Sequence, residues 1–216
     1  MPGKSELMDI DEAVKKVLEA SPQRKFGESV ELAVNLVGVD LSKPQNRLDE
    51  EVLLPHGTGR EPRLAVFGRG EFAIKAEKAG AAVIAPEQID ALGKDKKAAR
   101  KLVQKFDAFA AEAPLMPSIG KSLGPILGPR GMMPVPVPAG GDVTAVLGKM
   151  RRAIRVRTKD RPTFHVPVGI RTMKPEQIAT NLRAVLERVE GKLERGGQNI
   201  RSAYLKTTMG PPVRVK

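Results

Sequence analysis

The hydrophobic pattern changes style twice along this chain, and each change restricts the fold. At residues 29–36 apolar and polar side chains alternate, with Val30, Leu32, Val34 and Leu36 on one side, as in a strand with one face on a core. Residues 154–157, 163–168 and 200–207 return to that style, with Gly169 placed to end the second of these strands. A further strand over 49–54 precedes the turn-rich Pro55-His56-Gly57-Thr58-Gly59. From Arg63 the pattern differs: short apolar runs at 64–67, 82–84 and 106–111 alternate with helical stretches at 71–79, 86–92 and 96–105. Apolar strands separated by helices imply a parallel sheet covered on its faces.

The expected architecture is therefore α/β with two domains. A discontinuous α+β domain takes residues 1–60 and 152–216, and a Rossmann-like parallel α/β domain is inserted at 61–151. Two chain crossings, near 60 and 151, would form a hinge. Ile10, Ala13, Val14, Val17 and Leu18 recur at helical spacing, Asp9 and Glu12 are spaced as a capping box, and Ser21-Pro22 ends the run. Residues 142–150 read as a helix closing the insert. Pro175 opens a long amphipathic helix carrying Ile178, Leu182, Val185, Leu186, Val189 and Leu193.

Composition narrows the function. At 216 residues, 41% hydrophobic and 29% charged, the chain suits a soluble protein with real cores. It has no run of 18 apolar residues, so no membrane partner is expected. It has no cysteine, which removes disulfides, thiolate chemistry and Cys-ligated zinc together. The opening Met-Pro-Gly-Lys-Ser-Glu leads to an acidic helix start rather than a signal peptide, and a cytoplasmic location is expected. The net charge of +12 is unevenly placed: residues 1–60 carry 8 basic and 11 acidic side chains, 61–150 carry 13 and 9, and 151–216 carry 16 and 5. A clustered cationic excess fits a polyanion partner or, more blandly, a solvated basic face.

The segment from Met116 to Pro138 holds four glycines and six prolines, interleaved with Ile, Leu, Met and Val. A flexible linker lacks such apolar anchors, so an ordered loop is expected. Its Gly120-Lys121-Ser122 matches the end of a P-loop, but Leu115 stands where the motif needs glycine and Pro117 removes an amide. Gly68-Arg69-Gly70-Glu71-Phe72-Ala73 follows a strand and opens a helix like a dinucleotide fingerprint, with Glu87 or Asp90 near the acidic position. Long charged residues in the turn favour simple βα packing there.

Catalysis has little to stand on. His56 and His165 lie far apart, no G-x-S-x-G or H-E-x-x-H motif is present, and His165 reads as a satisfied structural histidine. Asp49-Glu50-Glu51 reads as a solvated acidic run rather than a metal site. With no cofactor expected, an enzyme is disfavoured, a nucleotide-dependent enzyme built on the central domain being the alternative. Aromatic content of 3% disfavours stacking of single strands and favours folded RNA read by phosphate and 2′-hydroxyl contacts. A basic adaptor for any polyanion is a third reading.

Four segments in order resemble one family. They are Lys25-Phe26-Gly27-Glu28-Ser29-Val30-Glu31, Leu54-Pro55-His56-Gly57-Thr58-Gly59, Leu127-Gly128-Pro129-Arg130-Gly131-Met132-Met133-Pro134 and Thr207-Thr208-Met209-Gly210-Pro211. The family is the large-subunit ribosomal protein numbered one, which builds the mobile stalk beside the tRNA exit site. Pro-Val-Pro-Val-Pro after Met133 is similar to archaeal members. The resemblance implies a discontinuous first domain hinged to a Rossmann-like insert, agreeing with the pattern. It implies large-subunit rRNA as partner, repression of translation by binding the protein's own mRNA, contact with exit-site tRNA, and a monomer when free.

Carried over by motif, the RNA contacts that the resemblance implies are Lys25, Phe26, Glu31, Ser202, Thr208, Met209 and Gly210. Hydroxyls at Ser202 and Thr208 suit 2′-hydroxyls or phosphates, Gly210 suits close backbone approach, and Phe26 and Met209 suit packing on sugars or bases. Glu31 repels phosphate and so must accept from a hydroxyl or amino group. Arg157, Arg171 and Lys206 are added as phosphate contacts from strand position and charge.

Overall fold

The computed structural model describes residues 8–42, 46–138, 140–158 and 161–216. Its contacts divide the chain into two compact units, Met1–Arg60 with Arg152–Lys216, and Glu61–Arg151. The fold is α/β, one unit built on antiparallel pairing and the other on a parallel sheet.

The chain opens with α1 (Ile10–Ala20), β1 (Ser29–Leu36) and β2 (Asp49–Leu53). Asp9 stands at the N-cap of α1, but its side chain caps nothing, so the expected box with Glu12 does not form. The helix is held instead by Ala13, Val14 and Val17, buried against the sheet core. In β1 every second residue is buried, as the alternation requires.

The inserted unit then runs β3 (Leu64–Phe67), α2 (Gly70–Lys78), β4 (Ala82–Ile84), α3 (Pro86–Lys94), α4 (Lys96–Lys105) and β5 (Ala108–Glu112). The Gly-Pro segment, expected as an ordered loop, is mostly helical: α5 (Met116–Ser122) and α6 (Gly124–Arg130) lead to an edge strand, β6 (Val135–Val137). Each of these short helices has proline at its start, where the missing amide costs nothing. Ile119, Leu123 and Leu127, four residues apart, are buried against Phe109 and Ile89, and this packing outweighs the glycines. Gly131, at φ 69°, ends α6 in the left-handed conformation. Last comes α7 (Val143–Arg152). The sheet order is β4-β3-β5-β6, all parallel. One core joins α3 to α6 to one face of the sheet, and a second joins α2 and α7 to the other. Pro136 lies in the edge strand, where it interrupts no inner ladder.

The first unit resumes with β7 (Ala153–Arg157), β8 (Thr163–Ile170), α8 (Pro175–Lys192), β9 (Ile200–Thr207) and β10 (Val213–Arg214). Strands β10-β9-β1-β8 form an antiparallel sheet, and β2 pairs with β7 in a two-stranded one. Gly169 does not end β8: it pairs with Val30, and its missing Cβ lets α8 bring Ile178 close to the strand. Helices α1 and α8 cover one face of the four-stranded sheet, on Val30, Leu32, Val34, Phe164, Val166 and Leu205. Its other face carries Glu31, Ala33, Asn35, His165, Tyr204 and Lys206.

Candidate nucleic-acid interface

The register of β1 and β9 brings the two ends of the chain together. Glu31 lies opposite Lys206, Ala33 opposite Tyr204, and Asn35 opposite Ser202. Period-2 alternation puts all six on the face opposite α1 and α8. Beyond Thr207 the backbone stays paired, the Thr208 amide donating to the Ser29 carbonyl at 3.0 Å. The Ser29 amide in turn donates to the Thr208 hydroxyl at 3.1 Å. So Lys25–Glu31 and Thr207–Gly210, far apart in sequence, form one patch.

A buried acid holds that patch. Glu28 is 1% exposed and shares its strand phase with Val30 and Leu32, pointing inward. It accepts from the Ser21 hydroxyl at 2.8 Å and from the Met209 amide at 3.2 Å. Arg171 lies 3.3 Å from it and Arg24 3.6 Å. Burial alone would raise its pKa; the bonds from Ser21 and Met209 and the two guanidiniums outweigh that, and the carboxyl is held below its ordinary value. Ser21 accepts in turn from the Thr207 hydroxyl at 2.9 Å. A Cβ on Gly210 would overlap that same Thr207 hydroxyl, so the glycine is required by the protein's own packing before any ligand approaches.

On this scaffold two large apolar side chains stand in solvent, Phe26 at 51% and Met209 at 61% exposed. Lys25 is exposed beside Phe26. Glu31 and Lys206 face each other across the ladder, yet among the described residues neither makes an ion pair. Ser202 is nearly buried; its oxygen accepts from Asn35 at 2.9 Å, which leaves its O–H to donate. The patch thus combines exposed apolar anchors, uncommitted charge of both signs, and hydroxyls fixed in place.

Two of the expected phosphate contacts lie elsewhere or are occupied. Arg157 belongs to β7 in the two-stranded sheet, where Asp49 lies 3.8 Å away. Arg171 donates to the Pro22 carbonyl and to Glu28, a link inside the scaffold rather than a free cation. The Asp49-Glu50-Glu51 run is likewise not simply solvated. Arg155 grips Asp49 through two nitrogens at 2.6 and 2.7 Å, and Glu50 pairs with Arg188 and Lys192. His165, expected to be a satisfied structural histidine, is exposed on the sheet face opposite α1 and α8. Sequence reasoning passed over Glu28, Ser21, Asn35 and Tyr204. For Glu28 a signal was present, an acid in phase with the buried side of β1.

The Leu54–Gly59 motif has a structural task. Asn181 of α8 is fully buried, donating to the Gly57 and Val168 carbonyls at 2.7 and 2.9 Å and accepting from the His56 amide at 3.1 Å. Gly59, at φ 74°, lies where a Cβ would strike Ile170 and Met173.

In the inserted unit the strand order is that of a flavodoxin-like sheet, whose ligand crevice opens beyond the carboxyl ends of β3 and β5. There the Glu112 carboxylate already accepts the Arg69 amide at 3.0 Å. An acid on the amide that would cradle a pyrophosphate makes this a βα packing turn. Gly120-Lys121-Ser122 is the last turn of α5, not a phosphate loop.

The geometry agrees with what the chain is similar to. The sequence profile described as Ribosomal protein L1p/L10e family matches residues 16–211. The protein named large ribosomal subunit protein uL1 of Methanocella arvoryzae is 53% identical over 205 residues, covering 94% of this chain and 96% of its own length. The protein of the same name in Methanothrix thermoacetophila is 51% identical over 208 residues, covering 96% and 98%. That of Archaeoglobus fulgidus is 48% identical over 213 residues, covering 97% and 99%.

Proposed function

The chain belongs to the ribosomal protein L1 family, in its archaeal form, and from that premise we propose that it grips a folded segment of large-subunit rRNA through the patch at Lys25–Glu31 and Thr207–Gly210. It is a structural constituent of the large ribosomal subunit, not an enzyme, and its place is the ribosome. Among the described residues no helix is long and apolar enough to cross a membrane.

One observation carries the proposal: Phe26 and Met209 are exposed, while the backbone amide of Met209 is held by buried Glu28. An apolar side chain held in water by a rigid turn is organised for a partner. Phe26 and Met209 pack on sugars or bases, Lys25 and Lys206 meet phosphates, and Thr208 and Ser202 engage hydroxyl or phosphate oxygens. Glu31 accepts from a 2′-hydroxyl or a base amino group, which discriminates against bare phosphate. The RNA segment is that of the mobile stalk. The motif resemblance supports three finer parts of the proposal: binding a similar fold in the protein's own mRNA, contact with exit-site tRNA, and a monomeric state when free.

The test is filter binding at fixed salt, comparing a stalk-like rRNA fragment with bulk tRNA. Preference for the fragment by about a thousandfold or more is expected. Equal affinity for both would reduce the protein to a basic adaptor and overturn the proposal.

A further inference from the structure

The cations of this protein fall into two classes that the sequence alone does not separate. Those on α8 are neutralised within the fold: Arg183 pairs with Asp11 at 2.5 Å, and Arg188 and Lys192 both pair with Glu50. Those on α4 are not. This ten-residue helix carries Lys96, Lys97, Arg100, Lys101 and Lys105 and no acid. All five side chains are exposed, and among the described residues none makes an ion pair. The acids nearest in sequence are engaged: Asp95 accepts from the Lys97 and Ala98 amides at the helix start, and Asp107 accepts from Arg63.

The helix geometry sharpens this. Ala99 and Val103 are buried and seat α4 on the core of the inserted unit. The five cations occupy the opposite half of the helix surface. Lys96 and Arg100, Lys97 and Lys101, and Lys101 and Lys105 are each four residues apart, so like charges stack about 5–6 Å apart along the face. Such pairs destabilise a helix in isolation. An anionic partner of regular spacing turns that repulsion into attraction, and successive phosphates along a nucleic-acid strand have such a spacing.

We propose that the outer face of α4 is a second RNA contact, holding the phosphate backbone of a folded RNA without reading its sequence. The charge pattern specifies a polyanion; the commitment to RNA rests on the rRNA-binding reading above. Apart from Gln104 the exposed half of the helix is lysine and arginine, and the face carries no exposed aromatic or apolar group to pack on bases. The face therefore contributes affinity and salt dependence, while discrimination stays with Phe26, Glu31 and Thr208–Gly210.

The experiment uses the full chain and a 20-base-pair RNA duplex of arbitrary sequence, with binding followed against potassium chloride concentration. Lys97→Gln, Arg100→Gln and Lys101→Gln together should lower affinity at least tenfold at about 0.1 M salt and flatten the log–log salt slope by about two to three. A control carrying Arg183→Gln, Arg188→Gln and Lys192→Gln removes the same net charge from paired positions and should keep the wild-type slope. The proposal is overturned if the α4 variant keeps that slope, or if the control loses as much. The α4 variant should still prefer a stalk-like fragment over bulk tRNA. Loss of that preference in the wild-type protein would sink the proposed function and leave the duplex result standing.

Discussion

The carboxylate of Glu28 accepts the backbone amide of Met209 at 3.2 Å across 181 residues of sequence. That bond joins the strand that begins the antiparallel sheet to the turn that leaves it, and it fixes the direction in which Met209 leaves the surface. It is charge-assisted and part-buried, and such a bond is costly to leave unmade.

Replacing Glu28 therefore tests the scaffold. Glu28→Ala leaves the Met209 amide and the Ser21 hydroxyl without their acceptor and takes the carboxylate from beside the Arg171 guanidinium, and a loss of about 2–4 kcal/mol in urea unfolding is expected. Glu28→Gln keeps an acceptor and should lose less. Because the folded carboxyl titrates below its unfolded value, its contribution is present above the ordinary carboxylate range and fades as pH falls through the folded pKa. Wild type should thus lose stability on acidification below about pH 4.5 more steeply than Glu28→Gln. Parallel pH curves for the two proteins would remove Glu28 from this role.

Phe26 and Met209 separate binding from folding. Both are more than half exposed, so Phe26→Ala and Met209→Ala should each shift stability by less than about 0.5 kcal/mol. Each should weaken binding to a stalk-like rRNA fragment by about 1–3 kcal/mol if it anchors the RNA. Unchanged affinity in both variants would move the site away from this patch.

Thr208→Val removes a hydroxyl that also accepts from the Ser29 amide, so a loss of about 1–3 kcal/mol in RNA affinity is expected with a smaller loss of stability. Thr208→Ser should restore most of both. A valine variant that binds as tightly as wild type would show that the hydroxyl serves the fold alone.

Arg157 and Arg171 sort committed cations from free ones. Arg157→Gln should leave the salt slope for the rRNA fragment unchanged, and so should Arg171→Gln, which should instead lower stability through Glu28. Lys206→Gln, by contrast, should flatten the slope by about one. A flattened slope for either arginine variant would restore that residue to the phosphate contacts.

Asn181 supports the Leu54–Gly59 motif without taking part in binding. Asn181→Leu orphans the His56 amide and the Gly57 and Val168 carbonyls, and a loss of about 3 kcal/mol is expected in thermal or urea melts. RNA affinity measured well below the melting point should stay near wild type, and a specific loss of affinity would place that loop in the interface.

Much of this was legible because it depends on neighbours in sequence. The alternation in β1 and β9, the apolar runs of β3, β4 and β5, and the stripe on α8 are local consequences of which side chains must leave water. Where local signals conflicted, they misled: glycine and proline between residues 116 and 138 suggested a loop, yet Ile119, Leu123 and Leu127 found a core and made helices. Gly169 suggested a strand end but serves close helix packing.

By itself the sequence determined the two strand styles, the α/β class, the absence of thiol chemistry, and a cationic chain bearing the motifs of a ribosomal family. Only the tertiary structure decided which charges remain free. Arg183 meets Asp11 and Arg188 meets Glu50 across 172 and 138 residues, while among the described residues the five cations of α4 meet no acid. Coulomb attraction acts on distance in space, and position along the chain does not fix that distance until the fold is made. The same holds for Glu28, an ordinary acid in the sequence that folding turns into the clamp on Met209.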